Sequence, residues 1–175
     1  SACGTADSVG DAVAEVTTTV YAPQNRPDVR GTSGAVSAGH PLAAQAGLAV
    51  LKQGGTATDA IVVMASVLAV TRPHMNGVGG DAFGIFYDGA TGQVTALNAS
   101  GRSGDLATPD FFAAAGVDAI PQEGGLSVSV PGAVAGWVDA HERFGTKPFS
   151  ALLQPAINFA RAGFPVSTRL AMDFE

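Results

Sequence analysis

The fold class is decided by residues 76–98, NGVGGDAFGIFYDGATGQVTALN. A glycine-dense loop over Asn76–Asp81 leads into two apolar runs, Phe83–Tyr87 and Val94–Asn98, which are typical of β-strands. Between the two runs, Asp88–Gly92 provides glycines where a hairpin turn needs a left-handed backbone. This stretch therefore predicts an antiparallel hairpin. Because helices surround it in the sequence, we expect an α+β fold rather than a doubly wound parallel sheet.

The glycine-dense loop formally matches a dinucleotide-binding fingerprint over Gly77–Ala82, GVGGDA. Such a fingerprint works when a strand precedes it and a helix follows, because the helix N-terminus then holds the pyrophosphate. Here a predicted helix precedes the loop and a predicted strand follows it, which argues against a nucleotide. The glycines instead indicate a backbone that passes close to a buried neighbour or to a ligand.

Two helices are predicted upstream of the hairpin. The first begins at Pro41, where the missing N–H costs nothing, and ends at Gly54, which can adopt a left-handed conformation. Thr56 or Thr58 can cap the second helix, and Asp59 in its first turn is favourable to the helix dipole. That helix is apolar on nearly every side, which is typical of a buried helix. The other predicted elements are a strand at Val36–Gly39, a helix at Pro109–Ala115, a strand at Leu126–Val130, a helix from Pro131 to Gly145, and two short helices within Pro148–Gly163.

The composition is typical of a single globular domain and includes few charged residues. The chain has 175 residues, of which 46% are hydrophobic and only 14% are charged, against about 25% charged in a typical domain. Its net charge of −6 and pI near 4.8 argue against nucleic acid as a partner, since phosphate neutralisation needs clustered Lys and Arg. So few charges on so many apolar residues indicate that another chain covers part of the surface.

The two ends of the sequence predict a processed and interrupted chain. It begins at Ser1 without a Met, and it stops at Glu175 within an amphipathic stretch. The residues that precede Thr32 show little helical periodicity and are interpreted as a tether. We therefore divide the chain into an N-terminal tether at 1–31 and a folded portion at 32–175.

The single cysteine, Cys3, follows Ser-Ala and precedes Gly. This setting is like the end of a bacterial lipoprotein signal, in which small residues precede the acylated Cys. The alternative is an exposed free thiol. We interpret Cys3 as a lipidation site, and we expect an extracytoplasmic protein, periplasmic or secreted, that a lipid at Cys3 anchors to the membrane.

The three histidines, His40, His74 and His141, lie far apart and have no partner at helical spacing. Metal sites need clustered ligands, so we expect structural histidines, no metal site and no cofactor. No Gly-x-Ser-x-Gly elbow is present, so the sequence does not indicate a serine hydrolase of that type.

One charge stands out, that of Arg102. It follows the second strand of the hairpin within the run NASGRSG, residues 98–104, and is flanked by small residues. A guanidinium displayed at the end of a strand suits bidentate recognition of a carboxylate. The alternative is an ordinary solvated loop arginine.

Several segments, in order along the chain, resemble the N-terminal half of the γ-glutamyltransferases, or glutathione hydrolases. The match runs from about Gly34 to Val166 and is more specific as a colinear set than any segment alone. The segments are His40–Ala43 (HPLA), Gly54–Ala60 (GGTATDA), Leu68–Pro73 (LAVTRP), Gly77–Phe83 (GVGGDAF), Val130–Trp137 (VPGAVAGW), Gln154–Ala156 (QPA) and Ala160–Phe164 (ARAGF).

The resemblance implies an N-terminal-nucleophile hydrolase, an αββα sandwich made as a precursor that cuts itself into a large and a small subunit. It implies a Thr nucleophile at the start of the small subunit, beyond Glu175, whose free α-amine activates the hydroxyl. No catalytic residue is therefore assigned to this chain. The chain then corresponds to the N-terminal portion of the large subunit, with the small subunit from the same precursor as its partner in a heterodimer.

The resemblance also implies a role for Arg102. Family members hold the α-carboxylate of the γ-glutamyl group with an Arg just after this hairpin, usually within Asp-x-Arg-Glu. Here the corresponding sequence is Ser-Gly-Arg-Ser, and the Glu that usually follows the Arg is absent. This departure is similar to divergent members, including those close to cephalosporin acylases, and it leaves the acyl group open.

The function that this implies is hydrolysis or transfer of the γ-glutamyl group of glutathione or other γ-glutamyl amides. One alternative is an amidohydrolase of the same fold that acts on cephalosporin or glutaryl amides. Another is a non-catalytic homologue that has kept the fold and lost self-cleavage. Whether a Thr and a small-subunit sequence follow Glu175 separates these hypotheses.

Overall fold

The structure, a computed structural model, describes residues 29–122 and 124–174. Cys3 and most of the predicted tether lie outside the described residues and stay predictions. The helices of the described part are α1 (Pro41–Lys52), α2 (Ala57–Thr71), α3 (Pro109–Ala114), α4 (Ala133–Phe144), α5 (Phe149–Ala162) and α6 (Thr168–Asp173), with a 3₁₀ turn at Gly125–Ser127. The strands are β1 (Ala82–Tyr87) and β2 (Val94–Ala99).

The ends of α1 and the start of α2 lie where the sequence predicts them, and the side chain of His40 adds a cap that was not predicted. Nδ1 of His40 accepts a hydrogen bond from the Leu42 N–H (3.2 Å) before α1, and Gly54 after it has φ +75°. Thr56 caps α2 reciprocally. Its hydroxyl accepts the Asp59 N–H (3.1 Å), and the Asp59 carboxylate accepts the Thr56 N–H (2.8 Å). Both helix starts are therefore decided by local side-chain chemistry.

The core lies in the helical layer, where α2 packs between α1 and α5. Its buried apolar side chains are Ala43, Val62, Val63, Val67, Leu152 and Ala156. α1 approaches α2 closely at Gly47, where an added Cβ would lie 2.7 Å from the Met64 side chain. The predicted burial of α2 holds for the face that meets α1 and α5. Ile61, on another face, is 45% exposed.

The predicted hairpin is confirmed, with β1 and β2 antiparallel and Ala82 paired with Ala99. One face of the hairpin packs on α4, where an added Cβ at Gly136 would lie 2.6 Å from the Ala99 side chain. The other face is apolar and exposed, and Ile85 at its centre is 78% exposed. We call this face the outer sheet face; its exposed residues are Phe83, Ile85, Tyr87, Val94, Ala96 and Asn98.

Two predicted strands are wrong. Val36–Gly39 has no strand partner among the described residues and instead leads irregularly into the cap of α1. Within Leu126–Val130, the first residues belong to the 3₁₀ turn, and Val130 makes a single backbone hydrogen bond to the loop after β2. Both runs were apolar enough for a strand. A strand also needs a partner ladder, and the hairpin of the described residues extends to neither run.

The prediction of two short helices within Pro148–Gly163 is also wrong, because α5 is one helix that contains Pro155. Proline removes a backbone hydrogen bond and usually breaks a helix. Here Leu152 and Ala156, one turn apart, are both buried in the core. Packing of that face offsets the lost hydrogen bond and keeps α5 continuous.

Candidate functional site

Arg102 lies in the loop that follows β2, and its side chain is exposed. That side chain makes no hydrogen bond or ion pair with any other described residue. The loop borders a cleft of about 670 Å³, a size suited to a small molecule. The cleft is lined by the end of β2 and the loop after it (Asn98–Asp105), by Val130–Gly132, and by Ala135 and Asp139 of α4.

The backbone on both sides of the cleft is held by hydrogen bonds. The Val130 N–H donates to the Arg102 carbonyl (2.8 Å). Gly101 has φ +73°, a left-handed conformation that favours glycine, and an added Cβ there would collide with the Val130 carbonyl oxygen. The loop that carries Arg102 therefore lies tightly against the segment before α4.

The glycine-dense loop contacts the same segment. The Gly80 carbonyl accepts hydrogen bonds from the N–H groups of Gly132 (3.1 Å) and Ala133 (2.9 Å), at the start of α4. Of the two interpretations of this loop, a buried neighbour or a ligand, the structure supports a protein neighbour at Gly80. Gly77 and Gly79 have open space where a Cβ would be.

The cleft combines charges of both signs. Arg102 supplies a guanidinium with donors in a planar fork that fits a carboxylate, and Asp105 and Asp139 line the same cleft. A ligand with an α-carboxylate and an α-ammonium would meet groups of opposite sign to both. The arrangement can bind and orient such a ligand. The cleft's own residues include no Ser–His or Cys–His pair that would attack it.

The three histidines lie apart from this cleft. His40 caps α1, and His141 Nε2–H donates to the Lys147 carbonyl (2.6 Å), so these two are structural, as predicted. His74 Nε2 lies 3.5 Å from the Asp173 carboxylate. Within the described ranges, no three His, Cys, Asp or Glu side chains are placed to hold a metal ion.

A second charged residue, Asp59, has partners that sequence reasoning missed. Its side chain is 0% exposed. Besides the Thr56 N–H, its carboxylate accepts the N–H (3.0 Å) and hydroxyl (2.9 Å) of Thr146 and the Lys147 N–H (3.3 Å). Burial acts to raise the pKa of Asp59, but the hydrogen bonds from Thr56, Thr146 and Lys147 outweigh it and lower the pKa below its ordinary value of 3.8. The capping pattern in the sequence predicts the contact between Thr56 and Asp59. No local pattern predicts the contacts of Asp59 with Thr146 and Lys147.

A further cleft of about 540 Å³ lies among α2, α4, α5 and the glycine-dense loop. Its lining is mostly apolar, with Trp137 and Phe149 among its larger side chains, and it contains no charged residue. It offers hydrophobic contact and no acid–base group, so the cleft at Arg102 is the better candidate for a functional site.

Comparison with known sequences places this chain among one group of enzymes. Residues 43–175 match the family model described as Gamma-glutamyltranspeptidase. The chain is 40% identical to the "Glutathione hydrolase proenzyme" of Bacillus subtilis (strain 168), over 81% of this chain and 25% of the relative. It is 36% identical to the "Acylase ACY 1 proenzyme" of Pseudomonas sp. (strain V22), over 81% of this chain and 27% of that relative. The chain thus spans about a quarter of the length of these curated relatives.

Comparison with solved structures also finds gamma-glutamyltranspeptidases and an acylase. The gamma-glutamyltranspeptidase of Helicobacter pylori superposes with a TM-score of 0.77 at 34% identity, covering 84% of this chain and 43% of that one. The cephalosporin acylase from Bacillus halodurans superposes with a TM-score of 0.72 at 37% identity, covering 87% of this chain and 29% of that one.

Proposed function

Because this chain belongs to the gamma-glutamyltranspeptidase family, we propose that it is part of an enzyme that hydrolyses or transfers the γ-glutamyl group of glutathione or other γ-glutamyl amides. The resemblance expected from the colinear segments is confirmed. The predicted α+β fold of an N-terminal-nucleophile hydrolase is also confirmed by its structural neighbours. The described residues contribute one helical layer and one hairpin to that fold.

The observation that carries the proposal is the guanidinium of Arg102, which lies at its cleft without a partner among the described residues. Two parallel hydrogen bonds between a guanidinium and a carboxylate fix orientation as well as charge. Arg102 would hold the α-carboxylate of the substrate, and Asp105 or Asp139, which line the same cleft, would attract its α-ammonium. The γ-amide, at the other end of the acyl chain, is then presented to the nucleophile.

The nucleophile of the proposed reaction is a Thr that starts the small subunit and lies outside this chain. Its α-amine takes the hydroxyl proton as the oxygen attacks the γ-carbonyl, and that proton passes to the amine that leaves. The acyl-enzyme is then released by water, in hydrolysis, or by an acceptor amine, in transfer. The names of the relatives as proenzymes support a precursor that is cut into two subunits. The exposed outer sheet face supports the same proposal, because in an αββα sandwich a second sheet covers such a face.

The test compares Arg102→Ala and Arg102→Lys with the unaltered full-length protein. The substrates are L-γ-glutamyl-p-nitroanilide and 4-aminobutyryl-p-nitroanilide, which lacks the α-carboxylate. Truncating one partner of a desolvated charge pair costs about 2–5 kcal/mol, so kcat/KM for the first substrate should fall about 30-fold to several thousand-fold. The second substrate should be affected little. Self-cleavage, which uses no such carboxylate, should survive.

Arg161→Ala is the matched control, since Arg161 is an exposed arginine in the last turn of α5, outside the cleft. It should leave both substrates unaffected. Equal losses on both substrates in the Arg102 variants, or no loss on either, would show that Arg102 is an ordinary solvated arginine.

A second candidate function is an acylase that acts on glutaryl or cephalosporin amides. It is favoured by the Ser-Gly-Arg-Ser text and by similarity to acylases. Glutaryl-p-nitroanilide keeps a terminal carboxylate but has no α-amine, so an acylase would prefer it to the γ-glutamyl anilide. Mass spectrometry of the purified full-length protein tests the non-catalytic alternative, in which no cut occurs.

We also propose that Cys3 is acylated and that the protein is extracytoplasmic. The support is the Ser-Ala-Cys-Gly sequence, since Cys3 lies outside the described residues. None of the helices in the described ranges is long and apolar enough to cross a membrane. Cys3→Ala should move the protein from the membrane fraction to the soluble fraction. Unaltered protein that is already soluble and unacylated would contradict the proposal.

A further inference from the structure

We propose that two segments form a strut that positions Arg102, namely Gly80–Asp81 of the glycine-dense loop and Ser129–Ala133 before and at the start of α4. The inference rests on the proposed role of Arg102 in binding a carboxylate. It assigns a purpose to the glycine-dense loop, which the proposed reaction otherwise leaves unused.

The base of the strut is the contact between the glycine-dense loop and α4. The Gly80 carbonyl accepts both the Gly132 N–H and the Ala133 N–H, and it thereby satisfies donors that a helix start leaves free. Gly132 also lies against the end of β2, because an added Cβ there would collide with the Ala99 carbonyl and lie 2.7 Å from the Gly101 nitrogen. Only glycine leaves the backbones this close.

A side-chain link runs parallel to this backbone contact. The Ser129 hydroxyl lies 3.3 Å from Asp81 Oδ1 and 3.5 Å from the Ser100 carbonyl oxygen. It has one proton for two acceptors, so each contact is weak. The link nevertheless ties the glycine-dense loop to the residues just before Arg102.

The top of the strut holds the backbone of Arg102 itself. The Val130 N–H donates to the Arg102 carbonyl (2.8 Å). On the preceding residue, the left-handed Gly101 leaves room for the Val130 carbonyl, which a Cβ would strike. Arg102 is therefore fixed at its carbonyl and at its N-terminal neighbour by one short segment.

The consequence for binding follows from the length of the arginine side chain. The guanidinium has no partner among the described residues, so its backbone is what sets the region that it can reach. A small displacement of the backbone moves the end of a long side chain, and a misplacement of about 1 Å can cost about 100-fold in rate. The strut acts through Arg102 and touches no substrate, so its residues are positioning residues.

The main test compares Gly101→Ala with Gly92→Ala in the full-length protein. Both glycines have nearly the same left-handed conformation, with φ +73° and +72°. Their backbone strain is therefore matched, but Gly92 has open space where its Cβ would be. Gly101→Ala should raise KM for L-γ-glutamyl-p-nitroanilide about 10- to 100-fold and leave KM for 4-aminobutyryl-p-nitroanilide within about 2-fold. Gly92→Ala should leave both KM values unchanged.

A gentler pair of variants keeps the test decisive if Gly101→Ala fails to fold. Ser129→Ala removes the side-chain link, and Ser127→Ala removes a local hydrogen bond to the Gly124 carbonyl (2.8 Å) in the same stretch. A hydrogen bond contributes about 0.5–1.5 kcal/mol net; since the Ser129 contacts are weak, Ser129→Ala should raise KM for the γ-glutamyl anilide about 2- to 3-fold. Ser127→Ala should have no effect on either substrate.

The strut and the proposed function fail in different ways. If Arg102→Ala discriminates between the anilides but Ser129→Ala and Gly101→Ala do not, the strut is overturned and the role of Arg102 stands. If Arg102→Ala affects both anilides equally, the proposed role of Arg102 is overturned, and with it the strut that rests on that role. In the Arg102→Ala background, Gly101→Ala should no longer change the ratio of the two KM values. A further change there would overturn positioning through Arg102.

Discussion

Asp59 and Arg102 are charged residues in opposite situations. Asp59 is wholly buried and accepts hydrogen bonds from Thr56, Thr146 and Lys147. Arg102 is exposed and has no side-chain partner among the described residues, while its backbone carbonyl accepts the Val130 N–H. The first arrangement uses a charge to join distant parts of the chain. The second fixes the backbone of Arg102, and its guanidinium stays available to bind a ligand.

The difference between Asp59 and Arg102 indicates that the first contributes to folding stability and the second to substrate binding. Removal of a buried charge, or of the groups that donate to it, leaves hydrogen-bonding groups without partners, which is costly. Removal of an exposed, unpaired charge strands nothing in the protein. Substitutions in the region of Asp59 should therefore affect unfolding, and substitutions at Arg102 should affect the substrate. The predictions below test that separation in the full-length protein, by urea unfolding unless stated otherwise.

The largest effect is expected for Asp59→Ala, which should lower the free energy of unfolding by about 1.5–3 kcal/mol, the contribution of hydrogen bonds to a charged group. The variant leaves the N–H and hydroxyl of Thr146 without their acceptor and removes half of the capping box. Asp88→Ala is the control, because Asp88 also accepts two hydrogen bonds, from Ala90 and Thr91, but does so at the surface. Similar losses in the two variants would contradict a special role for the buried network.

A smaller loss, about 1–2 kcal/mol, is expected for Thr56→Ala. Its hydroxyl caps α2 and also donates to the Phe144 carbonyl (3.0 Å) at the end of α4. Thr108→Ala removes the equivalent cap from the short, exposed α3. Because the Thr108 hydroxyl makes no such second contact within residues 29–122 and 124–174, its loss should be the smaller one. Equal losses would mean that the link from Thr56 to α4 contributes nothing.

Acid should weaken the protein partly through Asp59. Its pKa is lowered in the folded state from the ordinary value of 3.8, so the folded state favours the carboxylate. The contribution is fully present above the unfolded-state pKa and is lost as the pH falls through the folded-state pKa. Urea midpoints measured between about pH 6 and pH 3 should fall less steeply in Asp59→Asn than in the unaltered protein. A variant that falls just as steeply would show that Asp59 is not linked to acid unfolding.

The smallest effect on stability is expected for Arg102→Ala. Its free energy of unfolding should change by less than about 0.5 kcal/mol, since the exposed side chain has no partner in the described part of the chain. The same variant should lose activity on the γ-glutamyl anilide, as described above. A clear loss of stability would show that the guanidinium is held by the protein and is not free for a substrate.

Several elements were predictable because their signals are local. Pro41 and Gly54 bound α1, Thr56 and Asp59 start α2, and the glycines after Asp88 close the hairpin. Arg102 could be singled out for the same reason, as a lone cation among small residues after a strand. Caps, turns and strand ends depend on neighbours within a few residues, so local sequence patterns predict them.

The incorrect predictions share a different cause. Leu126–Val130 has the apolar pattern of a strand, but no ladder partner reaches it among the described residues. Pro155 has the signal of a break, but the burial of Leu152 and Ala156 keeps α5 continuous. In both places a contact distant in sequence decides the outcome, and a pattern read along the chain does not contain that contact.

The sequence by itself determined the α+β class, the ends of α1, the start of α2, the hairpin, the family and the candidate Arg102, because each depends on local chemistry or on an ordered set of segments. Only the tertiary structure brought Asp59 to Thr146 and brought Gly80 and Val130 to the loop of Arg102. The physical reason is that these contacts are made by backbone groups and a buried carboxylate. Every residue has the same backbone donor and acceptor, so the partners are decided by packing rather than by residue type.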